Sequence, residues 1–125
     1  MKTQIYSGSC GCGAVRFKTT GKPKFVGVCH CSDCRNYTGA AFSTFVGFLD
    51  EQVKWLDQPR TTVSSSSGVT RGFCADCGTP MSYQGHKWAG ETHLLLGTFD
   101  DPEALPMQGP PGQVFEHEKL SWVKI

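Results

Sequence analysis

All seven cysteines of this chain fall into three short groups: Cys10-Gly11-Cys12, Cys29-His30-Cys31-Ser32-Asp33-Cys34 and Cys74-Ala75-Asp76-Cys77. An odd number of thiols at these spacings points to metal ligation rather than a disulfide framework. Two residues between Cys74 and Cys77 let one tight turn aim both sulfurs at a single ion, and Gly78 tolerates the positive φ that such a turn demands. Cys10 and Cys12 are the natural second pair, because Gly11 and Gly13 let the backbone bend until both sulfurs converge. Four thiolates close a tetrahedral zinc site, with Zn–S near ~2.3 Å. The plainer readings are small buried hydrophobes for Cys10 and Cys12 and a redox pair for Cys74 and Cys77. The redox reading needs a strand–helix setting that the sequence does not display. Iron at the same four thiolates, for electron transfer, is a further alternative.

The triplet Cys29, Cys31 and Cys34 supplies three more thiolates. With the fourth position open it is the zinc site of an enzyme, holding an incoming thiol or water as its anion. Closed by His30, Asp33 or a distant histidine, it is a second structural site. Left without metal, two of its thiols oxidise to a disulfide. The open form is preferred, since no eighth cysteine exists and His30, flanked by two candidate ligands, is poorly placed to share their ion. His30 is read as pointing away from the metal, either orienting a neighbouring group or simply structural. Arg35 follows directly and can balance thiolate charge or grip a substrate carboxylate with its planar fork, unless it is a solvated surface arginine. His86, His93 and His117 carry no spacing signal and read as structural or solvated.

Short strands must position these groups. In Ala14 to Thr19, Val15 and Phe17 alternate with Arg16 and Lys18, the period of a half-buried strand. Phe25 to Val28 delivers Cys29 and Cys31. Ser32 to Thr38 reads as a short helical turn capped by Ser32 and ended by Gly39. Ala40 to Leu49, Gln52 to Leu56, Pro80 to Gln84, Thr92 to Thr98, Gln113 to Phe115 and Ser121 to Lys124 read as extended. Thr61 to Ser66 and Val69 to Phe73 flank a hairpin turn at Ser67-Gly68 that presents Cys74. Gln84 to Glu91 reads as a polar loop, and Gly109 to Gly112 as a Pro-containing one. The expectation is an all-β fold in one domain, residues 1–125.

Only 38% of residues are apolar, and 15 are glycine. Such a loop-rich chain needs help from metal, and a structural zinc contributes on the order of 10 kcal/mol to folding. Formal net charge is +1 without any Lys/Arg run, and seven thiolates on two Zn²⁺ ions move it to the acidic side. A nucleic-acid partner is therefore not expected. Neither a signal peptide nor an apolar stretch of membrane-spanning length is visible, so the expected setting is soluble and cytoplasmic, where thiols stay reduced.

The cysteine motifs also resemble those of the glutathione-dependent formaldehyde-activating enzyme family, which includes the centromere protein V domain. Four segments carry the likeness: Cys10 to Val15; Cys29 to Arg35 with Gly39-Ala40-Ala41-Phe42; Phe73 to Thr79; and Leu96-Gly97-Thr98-Phe99-Asp100-Asp101-Pro102. A weaker match runs from Val114-Phe115 to Trp122. The resemblance implies several small, coiled β-sheets of β-tent type around zinc, with Cys10, Cys12, Cys74 and Cys77 as ligands of the structural ion. It implies that Cys29, Cys31 and Cys34 form a second, more labile zinc site where glutathione engages. The implied reaction is addition of the glutathione sulfur to formaldehyde, giving S-hydroxymethylglutathione, which places the enzyme among the carbon–sulfur lyases. The competing class is a non-enzymatic zinc module that binds a protein partner, with Trp55, Trp88 and Trp122 as candidate contact residues.

Overall fold

The computed structural model describes residues 4–63, 68–107 and 111–125. The mainly β expectation is borne out. In chain order the elements are β1 (Ile5–Ser9), β2 (Arg16–Thr20), β3 (Phe25–Cys29), α1 (Ser32–Thr38), β4 (Ser43–Leu49), β5 (Val53–Trp55), β6 (Arg60–Val63), β7 (Val69–Phe73), β8 (Pro80–Gly85), β9 (Glu91–Leu95) and β10 (Gly112–Val114). They form a three-stranded sheet, β1-β2-β5, and a seven-stranded sheet, β10-β3-β4-β9-β8-β7-β6. β10 runs parallel to β3, whereas every other strand pairing among the described residues is antiparallel.

Register decides what each face of the large sheet carries, because side chains alternate across a strand. Val26, Val46 and Leu94 stand opposite one another and share one face. That face forms the main core with Phe48, Met81 and, from outside the large sheet, Val15, Phe17 and Phe99. Phe17 packs edge-on to both Trp55 and Phe99, with ring centroids 5.7 and 5.1 Å away. The other face carries Cys29, Phe45, Leu95 and Tyr83, and α1 brings Cys34 onto it. A single sheet thus divides the hydrophobic interior from the chemistry-bearing side. Gly8 lies where β1 meets Phe99; a β-carbon there would collide with the Thr98 carbonyl and the Phe17 ring.

Several boundaries differ from the sequence reading. α1 spans the expected residues and ends at Gly39 in the left-handed conformation (φ 73°), but its N-cap is Cys31, whose sulfur accepts the Cys34 N–H; Ser32 is already inside the helix. The strand expected over Thr92 to Thr98 stops at Leu95, and a 3₁₀ turn carries the chain on to Phe99. The loop from Gln84 to Glu91 is narrower than expected, since β8 runs to Gly85 and β9 begins at Glu91. Ser121 to Lys124 forms no strand; the Val123 N–H closes a turn onto the Leu120 carbonyl at 3.0 Å. The β6–β7 hairpin is present, but residues 64–67 of its turn lie outside the described residues, as do 109 and 110 of the Pro-containing loop. Among the described residues, no helix is long and apolar enough to cross a membrane.

Candidate metal centres

Two loops of the same design bring Cys10, Cys12, Cys74 and Cys77 together. The Cys10 N–H donates to the Val15 carbonyl at 2.9 Å, and the Cys74 N–H donates to the Thr79 carbonyl at 3.0 Å. Each loop is closed between its first cysteine and the fifth residue after it, and each turns through a left-handed glycine: Gly13 (φ 83°) and Gly78 (φ 80°). The Gly11 N–H bonds the Thr79 hydroxyl at 3.0 Å, joining the two loops. The first loop connects β1 to β2 and the second connects β7 to β8, so the cluster joins the two sheets.

The four sulfurs lie within 4.8 Å of one another. Cys10 and Cys12 are 3.6 Å apart, and Cys12 and Cys74 are 3.8 Å apart. A regular tetrahedron with Zn–S near 2.3 Å has an edge of about 3.8 Å, so the donor set fits a zinc-sized ion. The electrostatics around two of the sulfurs point the same way. Cys77 is held down at about 5, chiefly by the hydroxyl and N–H of Thr79. Cys12 is pushed up to about 12: its bond to the Ala14 backbone pulls it down, but the Cys10 thiol, burial, and the Cys77 and Cys74 thiols together outweigh that pull. Four thiolates this close cannot all ionise without a cation among them.

The second cluster sits on the opposite face of the large sheet. Cys29 ends β3, Cys31 caps α1 and Cys34 lies in its first turn; the three sulfurs are within 4.8 Å of one another. Cys29 and Cys34 are buried and Cys31 is half-buried. Among the described residues no fourth His, Cys, Asp or Glu joins this group. The sulfur of Cys31 accepts the Cys34 N–H at 3.2 Å. Contact with Cys34 favours the Cys29 thiolate against the cost of burial, while Cys29 and then burial push the Cys34 thiol up. Burial also raises Cys31. Three sulfurs at this spacing suit a thiophilic ion such as zinc, and the donor chemistry fits an open site.

The neighbours named from sequence sit elsewhere than at the sulfurs. His30 is wholly buried; its Nε2 pairs with Gln113 Oε1 at 2.8 Å, and its ring lies 5.9 Å from that of Phe42. The guanidinium of Arg35 donates to the backbone carbonyls of His30 and Glu118, which ties the triplet's loop to the segment after β10. The basic group that meets the sulfurs is Arg71 on β7. Its Nη2 donates to Cys34 Sγ at 3.6 Å and to Asp33 Oδ2 at 3.1 Å. Its guanidinium carbon lies over Tyr37 at 4.8 Å and Tyr83 at 5.2 Å, close enough for cation–π attraction. Sequence reasoning missed Arg71, although alternation along Val69 to Phe73 puts it on the side of two apolar neighbours, where a charge calls for a partner. His93 is buried and structural, bonded to Glu91 at 2.9 Å beneath Phe25 and Trp88.

Comparison with known proteins fits this arrangement. A family model described as "Glutathione-dependent formaldehyde-activating enzyme" matches residues 5–118. A curated protein of Schizosaccharomyces pombe, described as an uncharacterized lyase, is 30% identical over 78 residues, covering 62% of this chain and 56% of the relative. The match therefore spans about half the length of that relative. A crystal structure of a Rhodobacter sphaeroides protein superposes with a TM-score of 0.62 over 86% of this chain and 98% of the other, at 16% identity, a likeness of fold. The chain belongs to the glutathione-dependent formaldehyde-activating enzyme family.

Proposed function

We propose that this family member is a zinc-dependent carbon–sulfur lyase that joins a small thiol, such as glutathione, to an aldehyde such as formaldehyde, and cleaves the same adduct in reverse. The observation that carries this reading is the unequal pair of thiol clusters. One has four sulfurs and joins the sheets. The other has three sulfurs, no fourth side-chain donor among the described residues, and a buried arginine against it. Cys10, Cys12, Cys74 and Cys77 would hold the structural ion, and Cys29, Cys31 and Cys34 the functional one. A zinc ion at the triplet would favour the thiolate over the thiol of an incoming substrate.

The rest falls to residues of this chain. Arg71 holds Cys34 in place through its Nη2, and the Cys34 N–H fixes the Cys31 sulfur. Arg35 and Gln113 immobilise His30, so Cys29 and Cys31 leave the strand end at a set distance. Burial of Cys29 and Cys34 limits competing water. In the forward direction the substrate sulfur forms a bond to the carbonyl carbon, the C=O π pair moves to oxygen, and that oxygen gains a proton, giving a thiohemiacetal.

Exchange NMR on glutathione and formaldehyde tests this reading. The protein is expected to accelerate interconversion of free and hydroxymethylated glutathione, and Cys31→Ala to abolish the acceleration while leaving the circular dichroism spectrum unchanged. Acceleration equal to wild type in C31A would remove the triplet from the reaction.

A further inference from the structure

Two of the triplet's three thiols stand at the start of α1, a helix of seven residues. A helix that short does not hold itself in water, so Cys31 and Cys34 stay in place only through what grips α1 from outside. Arg71 holds Asp33 from the side, and Thr38 meets Ser43 near the far end. The start is held from a distant part of the chain. Ser32 opens α1, so its N–H has no carbonyl partner within the helix. Glu118 Oε1 accepts that N–H at 3.0 Å, across 86 residues of sequence. The Glu118 carbonyl also accepts from Arg35 Nη1 at 2.8 Å. Just upstream, the Val114 carbonyl accepts the His30 N–H at 3.1 Å.

Between these attachments stands Phe115, at φ 55° and ψ 40°. Among the described residues it is the one non-glycine with a positive φ. A bulky side chain rarely adopts that backbone, and it persists only where the surroundings over-determine it. Burial of the ring is not what does so, because Phe115 is 42% exposed. The backbone on either side is. Val114 is fixed beside Cys29 in the sheet, and the Glu118 N–H donates to the Phe115 carbonyl at 3.0 Å. The left-handed turn swings the chain off β10 and brings Glu118 back to the start of α1.

We infer that Glu118 is a positioning residue for the triplet and that Phe115 is the strained hinge that delivers it. Glu118 touches none of the sulfurs. It acts through the Ser32 N–H and Arg35, and with the His30–Val114 bond it clamps the loop that carries Cys29, Cys31 and Cys34. This role depends on the triplet holding a metal, as proposed above, and not on which thiol or aldehyde reacts there.

Cobalt titration of protein with zinc at the four-cysteine site, followed by the d–d bands of Co²⁺ at the triplet, tests the clamp. Amide hydrogen exchange at Ser32 and Cys34, measured before cobalt is added, accompanies it. Glu118→Ala is expected to lower Co²⁺ affinity at least about tenfold, shift the d–d bands and speed exchange at both amides. Glu118→Gln, which keeps the acceptor oxygen, is expected to behave as wild type. Phe115→Gly is expected to raise the urea midpoint while keeping the d–d bands, since glycine adopts a left-handed backbone without a side-chain clash. Phe115→Val, β-branched at a positive φ, is expected to release the clamp as E118A does. Wild-type cobalt affinity and bands in E118A, or E118Q as impaired as E118A, would overturn the positioning role. A lowered urea midpoint in F115G would overturn the hinge. The amide readout needs no metal at the triplet, so a wild-type protein that takes up no Co²⁺ there contradicts the proposed reaction, and unchanged exchange in E118A then overturns the clamp on its own.

Discussion

Arg71 holds a charge where burial alone would exclude one, and the groups around it explain how. Asp33 neutralises it, two tyrosine rings face it, and the Cys34 sulfur takes one of its hydrogens. Replacing Arg71 by Gln leaves Asp33 and the sulfur without that donor. Partners of metal ligands typically influence affinity 10–100-fold, so R71Q is expected to weaken zinc binding at the triplet by about that factor and to spare the four-cysteine site. Metal titration against a competing chelator checks this, and equal loss at both sites would contradict it. A second residue-scale effect concerns pH. Burial holds the His93 imidazole below its ordinary value despite Glu91 beside it, and Lys24, then His93, hold the Glu91 carboxyl below its usual range. Both folded-state values are depressed, so at acid pH the unfolded chain binds more protons than the folded one. Stability is then lost as pH falls from neutrality through about 6.5 and below. Urea midpoints at pH 7 and pH 5 should fall less in His93→Gln than in wild type; an equal fall would remove His93 from the acid response.

At the scale of elements, the same device recurs: a strand ends, a tight loop follows, and thiols are fixed by backbone N–H groups. Val15 donates to Cys10 Sγ at 3.2 Å and Cys34 to Cys31 Sγ at 3.2 Å. This explains what could be read from sequence. The spacing of Cys74 to Cys77 with Gly78 dictates a turn by local geometry alone, and the pairing with Cys10 and Cys12 followed from chemistry. The helical turn and its end at Gly39 were also local. Ser32 as the cap was not, because a cysteine sulfur can take that role only when the strand before it delivers Cys31 at the right angle. β10 beside β3 was equally invisible, being a parallel pairing between distant segments. Arg35 turned to backbone carbonyls for the same reason: its acceptor on Glu118 lies 83 residues away. Gly39→Ala, placed in a left-handed cap, is expected to cost about 1 kcal/mol. Gly8→Ala, pressed against the Thr98 carbonyl and the Phe17 ring, is expected to cost on the order of 1–3 kcal/mol. Denaturant melts of the zinc-loaded protein check both, and a larger loss in G39A than in G8A would contradict the account of how the sheets meet.

For the whole molecule, the two clusters divide the labour. The four-cysteine site joins a three-stranded sheet to a seven-stranded one, while the triplet lies on the far face of the larger sheet, away from the main core. We propose that residues 1–125 form one folding unit, because the main core draws on both sheets and the ligands of the first cluster come from both. A structural zinc contributes on the order of 10 kcal/mol, comparable to the whole stability of a domain this size, so losing that ion should unfold the chain, whereas losing the other should only silence it. The central claim is this division. Native mass spectrometry of freshly purified wild type, C31A and C74A, paired with circular dichroism, tests it most directly. The account predicts two zinc ions in wild type, one zinc and an intact fold in C31A, and an unfolded chain in C74A. A C74A protein that stays folded, or a C31A protein that unfolds with it, would contradict the assignment of structure to one cluster and chemistry to the other.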